Sequence, residues 1–196
     1  MTTDSIISSV KEVYKELDEH IESIASKTGL KCPKNCSACC DKDDIEASPI
    51  EFYPLAEWLY QNNLVDEYIT RLDKNDGNGY CILYSPDSSL QKEGACEQYR
   101  FRGLICRLFG YGYRMNRDMV PDLVTCKIIK ENLPLAVSNA KMLGTNTPEE
   151  MPIFSNYYMQ LYSIEPDLVI KRFSINKAIR VAIENLYFHF LEDRER

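Results

Sequence analysis

The sequence predicts a mostly α-helical protein with irregular cysteine-rich loops, folded as a small single domain. Three observations predict it. Apolar residues recur at three- and four-residue spacing toward both ends of the chain, as in helices with one buried face. All eight cysteines fall between residues 32 and 126, in a stretch with little regular periodicity. At 196 residues, 44% hydrophobic and 27% charged, the chain can bury one sizeable core without help from disulfides. The expected organisation is one domain over residues 1–196. Its cysteine module, about residues 30–130, lies between an amino-terminal helix (4–28) and carboxy-terminal helices (147–191).

Residues 4–28 read as an amphipathic helix. Ile6, Val10, Val13, Leu17, Ile21 and Ile24 form one stripe, Asp4 can cap the start and Gly29 supplies the stop. The stripe is read as core-packing surface. His20, remote in sequence from every cysteine, is read as a surface or core residue rather than a ligand. Residues 30–44 form the first cysteine loop. Ser48-Pro-Ile-Glu51 then has the form of a capping box, with Pro49 at the first helical position and Glu51 as the reciprocal partner of Ser48. That helix is expected to reach about Gln61, and another to follow over Val65–Lys74. Asp76-Gly-Asn-Gly79 is a turn sequence. It leads into Tyr80–Tyr84, a short strand-like run carrying Cys81. Pro86 to Gly94 reads as a polar loop.

From Cys96 to Arg117 the pattern weakens and arginine becomes abundant. Arg100, Arg102, Arg107, Arg114 and Arg117 accompany one acid, Glu97, in a chain of formal charge -7. The plain reading is a solvated face with surface ion pairs. The sharper one is that these cations offset thiolate charge or bind an anionic substrate. Charge compensation is favoured, because several cysteinates leave excess negative charge even around a bound metal. Gly110-Tyr-Gly112 is too small a glycine pair for a phosphate loop and reads as a flexible bend. Beyond Cys126 helices alone are expected. A second capping box, Thr147-Pro-Glu-Glu150, opens one to about Tyr162, and Pro166 breaks the pattern. Ser174 then caps a long final helix with Ile175, Ile179, Ile183, Leu186 and Phe190 on one stripe. His189, between Phe188 and Phe190, is read as packed.

The acidic balance argues against nucleic acid and anionic membranes as partners. No apolar run approaches the ~18 residues needed to span a bilayer. Met1–Val10 has neither a basic segment nor an uninterrupted apolar stretch, so no signal peptide is expected and the expected location is cytoplasmic. In that reducing compartment thiols stay reduced, and clustered cysteines bind metal rather than form disulfides.

Cys32, Cys36, Cys39 and Cys40 occupy nine consecutive residues, and Cys81, Cys96, Cys106 and Cys126 follow. Cys36-Ser-Ala-Cys39 has the two-residue spacer that turns the backbone around an ion, with Cys32 one turn earlier. Adjacent cysteines such as Cys39 and Cys40 do not comfortably share one tetrahedral zinc. They suit two neighbouring metals, or one ligates while the other plays a different part. Eight thiolates could close two four-coordinate zinc sites or hold one or more iron–sulfur clusters, and thiolate softness suits both. A thiol activated by nearby arginine is a further reading. A single nucleophile, however, does not require seven companions. Both histidines lie far from the cysteines in sequence, which leaves a Cys2His2 finger or a Cys–His catalytic pair poorly supported.

These blocks resemble a known family. Cys32-x3-Cys36-x2-Cys39-Cys40 is similar to the defining motif of the YkgJ-like cysteine-cluster proteins, described as zinc- or iron-chelating. The second half of that pattern is a cysteine, two residues, Tyr, two residues, Arg-Pro, two residues and Cys-Arg. Cys96-Glu-Gln-Tyr99-Arg-Phe-Arg102-Gly103-Leu-Ile-Cys106-Arg107 matches its spacing, with Gly103 where Pro is usual. That departure removes no ligand but would loosen the turn before Cys106. Cys81 and Cys126 fall where the family has isolated cysteines. The resemblance covers residues 32–127 and implies metal binding by these cysteines. A flagellin lysine N-methylase carries a similar module, which implies a link to methyl transfer or iron–sulfur chemistry.

Two readings result. In one, a cytoplasmic protein holds an iron–sulfur cluster or Zn2+ through the module and has a redox or methyl-transfer role. In the other, zinc only staples the fold, and the terminal helices offer a surface to a protein partner. All eight cysteines are candidate metal ligands, with the first four, Cys96 and Cys106 foremost. Tyr99, Arg102 and Arg107 are supporting residues, the arginines to hydrogen-bond sulfur or orient an anionic substrate. No catalytic residue is assigned.

Overall fold

Helix α1 (Thr3–Thr28) is the long element that the first apolar stripe requires. Ile6, Val10, Leu17, Ile21 and Ile24 are buried along it, joined by Ile7 and Tyr14, while Val13 is half-buried. Its cap is Thr2 rather than Asp4: the Thr2 hydroxyl accepts the Ser5 N–H at 3.3 Å. Asp4 lies inside the first turn, where a negative charge meets the positive end of the helix dipole. Gly29 ends the helix with φ +79, and its N–H returns to the Ala25 carbonyl.

The computed structural model describes residues 1–32, 42, 44–75, 79–85 and 96–194. The expected turn at 76–79 and the expected loop at 86–94 lie wholly or mostly outside them. So do Cys36, Cys39 and Cys40. After strand β1 (Glu46–Ala47), the Ser48–Glu51 capping box opens a 3-10 turn, Pro49–Phe52, that runs into α2 (Tyr53–Gln61). Helix α3 (Val65–Lys74) follows with the bounds read from the sequence. The strand expected at 80–84 is instead a turn, in which Tyr84 donates to the Cys81 carbonyl and forms a single antiparallel bridge with Cys96. Two buried apolar side chains, Ile82 and Leu83, produced the strand-like pattern, but among the described residues its one ladder pairing is the bridge to Cys96.

A 3-10 turn (Tyr99–Phe101) and the short α4 (Leu104–Leu108) carry the second cysteine block. β2 (Tyr113–Met115) and β3 (Pro121–Leu123) form an antiparallel hairpin in which Arg114 faces Asp122. Then come α5 (Lys127–Asn132), α6 (Pro134–Asn146), α7 (Phe154–Ile164), α8 (Pro166–Ile170), β4 (Phe173–Ser174) and α9 (Ile175–Arg194).

Two expectations for this half need correction. Thr147 does not open a helix. Its hydroxyl turns back to the Leu143 carbonyl of α6, and only a 3-10 turn (Pro148–Glu150) follows before α7 begins. The carboxy-terminal part is also not helices alone, because β4 pairs antiparallel with β1 in the register Glu46↔Ser174 and Ala47↔Phe173. Pro166 both ends one pattern and starts the next, sitting at the first position of α8.

Two hydrophobic cores result. The larger lies between α1, α2, α7 and α9, with Leu17, Phe52, Leu55, Leu59, Ile179 and Ala182 fully buried. The smaller joins the end of α1 to the hairpin, α5 and α6 through Ile24, Leu30, Tyr113, Leu123, Ile129 and Ala140. Tyr111 packs against both. The expectation of a mostly helical single domain is met.

Candidate metal centre

Five of the predicted ligand cysteines lie among the described residues, carried by different elements and divided between the two cores. Cys81 and Cys96 come together through the Tyr84–Cys96 bridge and the Glu97 N–H bond to the Leu83 carbonyl at 2.7 Å. Cys81 is buried. Burial pushes its thiol up to about 12, and the neighbouring Cys96 charge adds to this. The Leu83 and Tyr84 N–H groups and Arg71 act in the opposite direction. Cys106 stands in the middle of α4, against the larger core. Cys32 follows α1, and its backbone N–H is bound by the Tyr111 hydroxyl at 2.9 Å. Cys126 is the N-cap of α5, its Sγ accepting the Ile129 N–H at 3.4 Å, and packs against the smaller core. Among the described residues no three His, Cys, Asp or Glu side chains form a metal-holding group.

The arginines divide sharply. Arg107 is buried, and its guanidinium is committed on all sides. It pairs with Asp18 of α1, binds the Arg100 and Arg102 carbonyls, and lies 4.3 Å from the Tyr14 ring centroid. Arg107 therefore holds the second cysteine block to α1. Arg102 stacks 3.8 Å from the centroid of Tyr99, and its contact with Asp18 is loose at 4.0 Å. Its Nε is buried with no hydrogen-bond partner. Glu97, the one acid of this stretch, is taken by Arg71 in a two-pronged pair at 3.2 and 2.7 Å.

Glu51 locks α4 in place from inside the core. One carboxylate oxygen accepts the Ser48 N–H and hydroxyl at 2.8 and 2.9 Å, and the other accepts the Leu104 N–H at 2.9 Å. Burial raises its pKa above the ordinary value, while these donors and Arg172 hold it partly down. Gly103 does not loosen the turn before Cys106. Its φ of -66 is a proline-like value, and a Cβ there would stand 3.0 Å from Glu51 Oε2 and from Phe52 Cζ, both buried. A side chain at 103 would have to displace that carboxylate and ring by a few tenths of an ångström.

The histidines are accounted for without metal. His20 engages the Tyr157 hydroxyl at 2.8 Å and the Glu150 carbonyl, and His189 pairs with Asp4 at 2.9 Å.

A metal bound by thiolates fits the residues present. Among the described residues three buried side-chain polar atoms have no hydrogen-bond partner: Arg102 Nε, Thr125 Oγ1 and Tyr158 OH. Each lies near a cysteine. Thr125 precedes Cys126. Arg102 is one turn before Cys106, and its charge reaches Tyr111, the partner of Cys32. Tyr158 is on α7, which packs against α4. Leaving a buried donor unmade costs ~1–3 kcal/mol. Donors lacking acceptors suit a site whose loaded form adds thiolates, which accept strongly. Sequence reasoning did not find Asp18, Tyr111, Thr125 or Tyr158, since nothing in local spacing ties them to the cysteines.

Thiols dispersed along a helical scaffold, with unmatched donors beside them, define a cysteine-based metal-chelating class of protein. The chain belongs to the CxxCxxCC family, described as "Putative zinc- or iron-chelating domain", whose model matches residues 31–131. Neither the comparison with curated proteins nor that with solved structures returned a match. No helix among the described residues is long and apolar enough to cross a membrane.

Proposed function

We propose that this protein is a cytoplasmic metal-binding protein that holds zinc or an iron–sulfur cluster through Cys32, Cys36, Cys39, Cys40, Cys96 and Cys106, with Cys81 and Cys126 as further ligands. The observation that carries this reading is the gathering of the unmatched buried donors beside cysteines. Arg102, through its Nε, is the donor to a cysteinate sulfur. Arg107 and Tyr99 hold the segment that presents it. A bound cluster supplies one-electron redox chemistry, and zinc supplies a structural bond between segments. The test is metal analysis of protein purified without oxygen. A brown preparation with iron and sulfide supports the cluster and a redox role, and a colourless one with stoichiometric zinc supports the staple. Protein that retains neither metal, and takes up neither on reconstitution, overturns the reading. Binding of S-adenosylmethionine by the loaded protein would be the first requirement of a methyl-transfer role.

The zinc-staple alternative, a module serving a protein partner, is favoured by one feature. Helix α9 exposes Tyr187, Phe188 and Leu191 on its outer side, with Phe188 73% accessible.

A further inference from the structure

Tyr158 lies in the middle of α7, outside the segment that matches the family. Its hydroxyl oxygen is buried, and among the described residues no group accepts its proton. Other groups that could accept its proton are engaged or badly oriented. The two carboxylate oxygens of Glu51 already receive three hydrogen bonds, from Ser48 and Leu104. The Tyr14 hydroxyl donates to the Glu51 carbonyl at 2.8 Å. Arg172, whose guanidinium stands 5.0 Å from the Tyr158 ring centroid, acts on the hydroxyl oxygen only as a donor and offers no acceptor for its proton. Across the packing of α7 on α4 stands Cys106, at the centre of α4.

A thiol sulfur is a weak acceptor, but a metal-bound thiolate is a strong, charge-assisted one. We infer that Tyr158 donates its hydroxyl proton to the Cys106 sulfur once that sulfur is a metal-bound thiolate, so that α7 contributes a positioning residue to the metal site. This rests on the metal-binding reading above. Burial pushes the Tyr158 phenol up to about 12, helped by the Glu51 and Cys106 charges and opposed by the hydrogen bond and charge of Arg172. The proton therefore stays on the oxygen near neutral pH, and the group can only act as a donor toward a thiolate.

The inference makes opposite demands on the metal-free and loaded protein. Without metal, the hydroxyl is a buried donor with no acceptor among the described residues, so Tyr158→Phe removes a liability. With metal, the same substitution removes a hydrogen bond to a ligand. Co2+ is the probe, added to full-length, reduced, metal-free protein under anaerobic conditions. Relative to the wild-type chain, Y158F should bind Co2+ about tenfold more weakly, the loss typical of an outer hydrogen bond to a ligand. Its sulfur-to-cobalt charge-transfer band should move to lower energy, because the thiolate loses a stabilising donor. Its metal-free unfolding temperature should be unchanged or higher. Tyr162→Phe, on the exposed side of the same helix, should match wild type throughout. Wild-type affinity and band position in Y158F would overturn the inference, as would an equal fall in unfolding temperature with and without metal. If the wild-type chain itself takes up no Co2+, the metal reading fails first and this inference with it.

Discussion

The two cores are built from different materials. The larger is lined by aliphatic stripes on long helices, and its stability follows from area removed from water. The smaller is assembled from a hairpin of two three-residue strands, two helices and the last turns of α1, with Tyr113 fully buried in it. It buries fewer residues, and it includes specific bonds such as that from the Tyr113 hydroxyl to the Ala140 carbonyl at 2.9 Å. The cysteines are shared unequally between them. Cys81, Cys96 and Cys106 pack on the larger core, and Cys126 packs on the smaller. On the metal-binding reading, the larger core is the scaffold and the smaller is the part that a metal would fasten to it.

That contrast can be broken in order of expected effect. Removing the metal with a chelator should cost about 4 kcal/mol if the free ion had exceeded its dissociation constant a thousandfold. Amide exchange should then accelerate in α5, α6 and the β2–β3 hairpin while α1, α2 and α9 keep their protection. Uniform acceleration would mean that the cores do not differ. Leu17→Ala, in the larger core, should cost about 3 kcal/mol and lower the whole unfolding transition. Tyr113→Phe should cost about 1 kcal/mol and register as local exchange in α6.

The smallest effect concerns pH. Glu51 is surrounded by Tyr14, Tyr158 and Arg172, and its carboxyl is raised above the ordinary 4.5 chiefly by burial. The native state therefore keeps this proton after the unfolded chain has lost it. This contribution to stability is complete below about 4.5, declines as pH rises from there through the native value, and is level above it. The stability of the wild-type chain minus that of Glu51→Gln, measured by denaturant titration, should fall across that window. A rise would mean that the hydrogen bonds to the carboxylate outweigh its burial.

The scaffold was largely legible in the sequence because its signals are local. Periodicity with a glycine stop marked α1, the Ser48–Glu51 box marked the entry to α2, and Ile175 to Leu186 marked α9. The box at Thr147 had the same letters and failed, since its hydroxyl found a nearer acceptor in the preceding helix. β4 was unreadable because two residues make a strand only when β1 is beside them. The cysteines themselves were plain from composition and spacing. Their surroundings were not, because the groups that distinguish Arg102 from Arg107 come from other elements. Asp18 is 89 residues from Arg107 in sequence, and Tyr158 reads locally as one more aromatic on a helix.

The hydrogen bond from the Cys32 N–H to the Tyr111 hydroxyl joins positions 79 residues apart. The segment between the two cysteine blocks is therefore closed by a contact within the protein, which lowers the closure entropy left to metal capture. A zinc finger acquires its shape and its ion in one event. If this closure forms without the ion, the two are separable in time. Uptake should be second order in a chain already folded, and an ion should be replaceable by exchange, at a rate set by the ligands and not by unfolding.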